Sequence, residues 1–243
     1  MFPLTNMFPG GVYNIKIRIE KMTYKQAFIE YLVACDALRF GEFKLKSGRV
    51  APYFINTGMF DTGARIKTLG SFYAQAIKEH FSDDFDGIYG PAYKGIPLCI
   101  AAAQALSDDG MDKGYVFNRK EAKTYADKSQ VVGMELTSAT RLILVDDVIT
   151  SGKAIQESLD VLKNCGSPAI NGIIISVNRQ EKGADTPNAL KAVEENLKIP
   201  IHAIVTITDI KTYLHNRPVN GRIVIDDAML EKINGYLEEY GAE

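Results

Sequence analysis

An α/β fold, with a mostly parallel central sheet flanked by helices, is predicted by three observations. Short apolar runs recur at 87–89, 115–117, 142–145, 172–177 and 203–207, and continuous rather than alternating runs mark strands covered on both faces. Stretches of helical period separate several of these runs. The run Leu142-Ile-Leu-Val145 leads straight into Asp146-Asp147, at the strand end where open α/β sheets hold their ligands.

The elements follow in order. From Tyr24 on, Ala27, Phe28, Tyr31, Leu32 and Cys35 fall on one helical face. Residues 43–49 and 51–56 read as two strands joined around a Ser47-Gly48 turn. Ile66, Leu69, Phe72 and Ala76 restore the helical period. A short strand at 87–89 is followed by a turn at 91–95 and an Ala-rich helix over 96–106. The strand 115–117 precedes a polar stretch, 119–133, with no apolar period. After Val145 a helix turns Ile155, Leu159 and Leu162 inward and closes near Gly166, read as a C′ glycine. Strands at 172–177 and 203–207 follow, and Leu230, Ile233 and Leu237 form the stripe of a docked C-terminal helix over about 226–240. Such alternation implies right-handed crossovers within one domain.

Bulk properties narrow the function classes. The 243 residues are 46% hydrophobic and 24% charged, ordinary for a globular domain. A net charge of −2 and pI near 6.0 give no bulk attraction to nucleic acid or membrane. Cys35, Cys99 and Cys165 follow no metal or disulfide spacing, which points to a reducing cytoplasm. No apolar stretch approaches the roughly 20 residues of a membrane span. Residues 1–21 lack the basic start and continuous apolar region of a secretory signal. They read as an extension, with the native start at Met1 or Met22 and a single domain over 22–243.

Thr150-Ser-Gly-Lys-Ala154 brings small residues, hydroxyls and consecutive backbone N–H groups to the start of a helix, a ready anion site. A nucleoside-triphosphate loop would need Gly at position 147, where Asp stands. Carboxylates beside a phosphate cradle suit a phosphorylated sugar, whose hydroxyls donate to Asp146 and Asp147.

Residues 142–154 resemble the 5-phosphoribosyl-1-diphosphate (PRPP) signature of the type I phosphoribosyltransferases. Four further segments, in chain order and spanning about 22–210, are similar to the orotate branch of that family. Phe43-Lys-Leu-Lys-Ser-Gly-Arg49 with 50–56 resembles its N-terminal hood, and Gly90-Pro-Ala-Tyr-Lys-Gly-Ile-Pro97 its pyrophosphate loop. Phe117-Asn-Arg-Lys-Glu-Ala-Lys123 opens a segment like its mobile catalytic loop, and Ile175-Ser-Val-Asn-Arg-Gln-Glu181 resembles the strand that brings an Arg to the base.

The resemblance implies the type I phosphoribosyltransferase fold with a small hood subdomain over about 22–60. It implies that PRPP, rich in phosphate charge, is bound by Lys46, Tyr93, Lys94, Arg119, Lys120, Lys123 and Tyr125. The signature would add Asp146, Asp147, Val148, Ile149, Thr150, Ser151, Gly152, Lys153 and Ala154. Orotate would meet Phe54, Ile55, Thr150 and Arg179, and Arg119, Lys123, Asp146 and Asp147 would serve the chemistry. A non-proline cis peptide in the 91–95 turn, Mg²⁺ held mainly through PRPP with Asp147 reaching it through water, and a homodimer in which Lys123 completes the neighbour's site are implied as well.

The chain departs from the branch at Tyr125, where many relatives carry His, and in Ala126-Asp-Lys-Ser-Gln130, where they are Gly-rich. Any role of that His is therefore in doubt, and the loop should be less pliant. His80, His202 and His215 lie in none of these segments. Two alternatives stand beside this reading. A purine or uracil phosphoribosyltransferase is disfavoured by the Lys-Ser-Gly-Arg hood and the Asn-Arg-Lys-Glu-Ala-Lys loop. A regulator that keeps the PRPP pocket but binds nucleic acid is disfavoured by the absence of a basic patch or added domain.

Overall fold

A capping box opens the first helix: the Thr23 hydroxyl accepts from the Gln26 N–H while the Gln26 side chain accepts from the Thr23 N–H. The structure, a computed structural model, describes residues 22–45, 48–119, 130–149, 152–183 and 186–242. Helix α1 (Tyr24–Ala34) buries Phe28, Tyr31 and Leu32. It gives way to an antiparallel hairpin, β1 (Leu38–Lys44) and β2 (Val50–Ile55), irregular between Phe40 and Phe43. The first strand begins five residues before the predicted position 43. Asp36, at φ 54°, ends the helix early, and the Asn56 N–H donates to Ala37 O at 2.7 Å, so pairing runs down to the helix end.

A short 3₁₀ turn, Thr57–Met59, leads to α2 (Gly63–Phe81), β3 (Gly87–Gly90), α3 (Gly95–Asp108) and β4 (Gly114–Asn118). Then come β5 (Val131–Gly133), β6 (Arg141–Asp146), α4 (Lys153–Lys163) and β7 (Ala169–Asn178). The chain continues with α5 (Ala189–Leu197), β8 (Ile201–Thr206), α6 (Ile207–Leu214), the two-residue strands β9 (Pro218–Val219) and β10 (Arg222–Ile223), and α7 (Asp227–Tyr240).

The main sheet has the order β5-β4-β3-β6-β7-β8. All neighbours are parallel except β5, which pairs antiparallel with β4 at one edge. Side-chain alternation sets the layers. On β6, Ile143 and Val145 face the larger core with α1, α2, α3, α6 and α7, while Leu142 and Leu144 face the smaller core with α4 and α5. Ile88 and Tyr89 of β3 divide the same way. The sheet is thus covered on both faces, as continuous apolar runs require.

Three segments differ from expectation. Val131–Gly133, assigned to the polar stretch, is an edge strand, and the Arg119 N–H donates to Gln130 O at 2.8 Å, so the ladder extends to Arg119 and Gln130. Ile207 belongs to α6 rather than β8, because Thr206 and Asp209 form a capping box that starts the helix there. Helix α5 was not predicted. It packs only a thin stripe, Leu190, Val193 and Leu197, against the smaller core, and Asn188 caps it. Gly166 lies two residues past the C-cap Asn164, one beyond the expected C′ position, with φ 89°.

Candidate active site

The strand order concentrates the candidate residues. Arg119 follows β4, the 91–95 turn follows β3, Asp146 and Asp147 end β6, and Arg179 follows β7. These are four adjacent strands, and the parallel ones all deliver their C-terminal ends to one rim. The chain reverses its direction of sheet growth between β3 and β6, and that switch point opens the crevice in which doubly wound sheets hold ligands.

Asp147 sits in the crevice and is buried. Its Oδ2 accepts from Lys94 Nζ at 2.6 Å and from Thr57 Oγ1 at 2.8 Å, and its Oδ1 accepts from the Val148 N–H at 2.8 Å. The Asp147 N–H donates to Asp146 Oδ1 at 2.8 Å. The backbone beneath is fixed too: the Tyr73 hydroxyl donates to Asp146 O at 2.7 Å, and the Ser176 hydroxyl donates to Asp147 O at 2.6 Å. Side chains from the 3₁₀ turn and the 91–95 turn thus hold the Asp147 carboxylate, and side chains from α2 and β7 hold the backbone of the pair.

The 91–95 turn is shaped by its glycines and by Asn118. A Cβ on Gly90 would collide with the Gly95 backbone, and one on Gly95 would meet Gly90 and Pro91; the two ends of the turn touch. Asn118 Oδ1 accepts from the Ala92 N–H at 2.8 Å and from the Tyr89 hydroxyl at 3.1 Å, tying the turn to the end of β4. The Ala92–Tyr93 peptide is cis. Tyr93 and Lys94 are exposed at the rim.

At the start of α4, Gly152 is the N-cap at φ 72°, and a Cβ there would lie 2.8 Å from both Val193 methyl groups. The glycine is required by backbone angle and by helix packing, beyond the close phosphate approach expected of it. Val148 and Ile149 are half-buried, and Ile149 packs on the smaller core. Ala154 is exposed, and its carbonyl accepts from the Ser158 hydroxyl. Lys153 Nζ lies 3.8 Å from Glu157 Oε1 on the solvent side of α4, a surface pair of small energetic weight.

On the base side, Phe54 and Ile55 are half-buried at the end of β2, and the Phe54 ring stacks on Phe43 with centroids 5.5 Å apart. Arg179 lies over the Tyr53 ring at 5.3 Å. Its Nη2 is 2.7 Å from Glu181 Oε1, but off the hydrogen-bonding direction, so Nε and Nη2 are buried with no hydrogen-bond acceptor among the described residues. Glu181 Oε1 instead accepts from the Tyr53 and Tyr236 hydroxyls, each at 3.0 Å. Arg179 is thus a partly buried cation with unused donors, not the solvent-facing strand-end charge that a plain surface reading would suggest.

Lys46, Lys120, Lys123, Tyr125, Thr150 and Ser151 lie outside the described residues, as do 1–21. Sequence reasoning missed Thr57, Tyr73, Asn118, Ser176 and Glu181. Only Asn118 and the pair Ser176 and Glu181 stood inside quoted motifs; Thr57 and Tyr73 reach the site from 90 and 73 positions away, with no local signal.

Among the described residues no group of three or more His, Cys, Asp or Glu side chains is arranged to hold a metal. Two adjacent carboxylates fit Mg²⁺ nonetheless, since that ion keeps several waters and completes its shell with substrate phosphates. No helix among the described residues is long and apolar enough to cross a membrane.

The phosphoribosyl transferase domain model matches residues 57–209, and the chain belongs to the phosphoribosyltransferase family. An orotate phosphoribosyltransferase of Clostridium botulinum (strain Alaska E43 / Type E3) is 44% identical over 221 residues, covering 90% of this chain and 99% of that protein. One from Colwellia psychrerythraea is 43% identical over 222 residues, covering 90% and 98%. The crystal structure of the Francisella tularensis orotate phosphoribosyltransferase superposes with TM-score 0.76 at 37% identity, covering 89% of this chain and all of that one. Within the family the chain falls in the orotate branch.

Burial first, and the Asp147 charge second, push the Asp146 carboxyl up to about 7, from an ordinary 3.8. The folded protein then keeps a proton that the unfolded chain releases between those values, so this group's contribution to stability is lost as pH rises from about 4 to about 7. Asp146→Asn stays neutral and can still accept from the Asp147 N–H. It should match the wild type in urea unfolding near pH 4 and exceed it at pH 8; a gap independent of pH would refute the burial of charge argued here.

Proposed function

We propose that this chain transfers the 5-phosphoribosyl group of PRPP to orotate, giving orotidine 5′-monophosphate and pyrophosphate in de novo UMP synthesis. The observation that carries the reading is 44% identity to an orotate phosphoribosyltransferase across 90% of the chain. The arrangement of strand ends supports it. Asp146 and Asp147 accept from the ribose hydroxyls, and the sequence segment 148–154, with Thr150, Ser151 and Gly152, receives the 5-phosphate. Tyr93 and Lys94 meet the pyrophosphate, with Lys46, Arg119, Lys120 and Lys123 adding charge. Orotate lies between Phe54–Ile55 and Arg179, whose buried unused donors suit a carboxylate.

In this reading a pyrimidine nitrogen attacks C1 of PRPP, and the bond to pyrophosphate breaks early to leave an oxocarbenium-like sugar. No protein nucleophile takes part. The residues align base and sugar, neutralise the leaving group and exclude water. Asp147 would help to hold Mg²⁺, which when bound with the substrate would supply further positive charge against the departing pyrophosphate. We assign the unit to 22–243, with about 22–60 as a hood, 226–240 as a docked helix and 1–21 as an extension, and place it in the cytoplasm, where Cys35, Cys99 and Cys165 stay as free thiols.

An assay with PRPP, Mg²⁺ and orotate, uracil or hypoxanthine tests both the function and the base contact. Pyrophosphate release should be far faster with orotate than with either other base, and release at a comparable rate with uracil or hypoxanthine in its place would reject the reading. Arg179→Ala should cost about 2–4 kcal/mol in kcat/KM for orotate and far less for any residual use of uracil; equal losses would make Arg179 structural.

We also propose a homodimer in which Lys123 reaches the neighbouring subunit's pyrophosphate. Lys123→Ala and Asp147→Asn proteins, each severely impaired but with measurable turnover alone, mixed under conditions of proven subunit exchange, should then regain activity through heterodimers holding one intact site. No recovery would mean that each chain builds its own site.

A further inference from the structure

Thr57 is the first residue of the 3₁₀ turn that joins the hairpin to α2, two positions after Ile55. Asn56 Oδ1 accepts from the Gly58 N–H at 3.1 Å, so the end of the hairpin sets how the turn begins and where the Thr57 hydroxyl points. That hydroxyl donates to Asp147 Oδ2, which also accepts from Lys94 Nζ, while Asp147 Oδ1 is engaged by the Val148 N–H. Two side-chain donors therefore share one carboxylate oxygen. They are not equivalent toward a sugar diphosphate. Lys94 carries its charge on an exposed side chain of the flexible lysine type, and a pyrophosphate, with more charge than one carboxylate, would draw it away. Thr57 is neutral, half-buried and anchored by a capped turn.

We propose that Thr57 is a positioning residue for PRPP: its hydroxyl keeps Asp147 turned toward the ribose once Lys94 has moved to the pyrophosphate. The inference rests on the function proposed above. It also gives the hairpin a physical link to the ribose site, because the segment carrying Phe54 and Ile55 ends in the residue that orients Asp147.

The test uses the full chain and the variants Thr57→Val, which keeps the branched shape without the hydroxyl, and Thr57→Ser, which keeps the hydroxyl. Thr57→Val should lower kcat/KM for PRPP about tenfold, mainly through KM, the loss expected for one hydrogen bond to a charged group. Thr57→Ser should stay within about twofold of wild type, and Thr57→Val should add less than about twofold to the defect of Asp147→Asn, since both act through one carboxylate. Should Thr57→Val fail to fold, Thr57→Ala on the same two backgrounds carries the same comparison. Wild-type kinetics in the hydroxyl-less variant, a tenfold loss repeated on Asp147→Asn, or a serine variant as poor as the valine one would each overturn the proposal. Failure of the wild type to bind PRPP in a calorimetric titration would instead defeat the function reading itself.

Discussion

Two adjacent carboxylates at the end of a buried parallel strand impose the constraint around which this molecule is arranged. Carboxylates leaving water need compensating donors, and an uncompensated one changes its protonation instead. Asp147 is satisfied by Lys94, Thr57 and the Val148 N–H. Asp146 receives one N–H and is left with a carboxyl raised to about 7. Meeting these demands recruits residues from several separate elements. The Tyr73 and Ser176 hydroxyls secure the backbone under the pair, which makes α2 a part of the site although it was not read as such and gives β7 a role beyond carrying Arg179.

The layering makes this possible. Because apolar side chains alternate between two cores, β6 is dry on both faces from Leu142 to Val145, and its polar residues stand at its two ends. The neighbouring strands β4, β3 and β7 end at the same rim, each followed by a residue of suitable charge. On the hairpin side, Glu181 ties Tyr53 of β2 and Tyr236 of α7 together, and Arg49 donates to Lys182 O while lying 4.8 Å from the Tyr240 ring. The Arg of the Lys-Ser-Gly-Arg motif thus anchors the hairpin to the C-terminal segment.

Much of this was legible in the sequence where local rules dominate. Continuous apolar runs located β3, β4, β6, β7 and β8, helical periods located α1, α2, α4 and α7, and an Ala-rich composition located α3. Legibility failed where tertiary packing decides. The strand Val131–Gly133 is only three residues long and closes a polar stretch, so it is not read without its partner β4, and α5 buries too thin a stripe to stand out from its charged neighbours. For the site, Asp146, Asp147, Lys94, Arg119 and Arg179 were named from motifs, and the fold gathers them along one rim. Thr57 and Tyr73 were invisible because nothing in a linear pattern tells which distant hydroxyl will meet a carboxylate. The second reason for Gly152, contact with Val193, depends on the unpredicted α5.

The most direct measurement is a crystal structure of the chain with PRPP and Mg²⁺. The account predicts ribose hydroxyls within hydrogen-bonding distance, about 3 Å, of the Asp146 and Asp147 carboxylates, and Lys94 Nζ moved from Asp147 to the pyrophosphate. A phosphoribosyl group bound away from this carboxylate pair, with the Lys94–Asp147 contact of 2.6 Å intact, would contradict it.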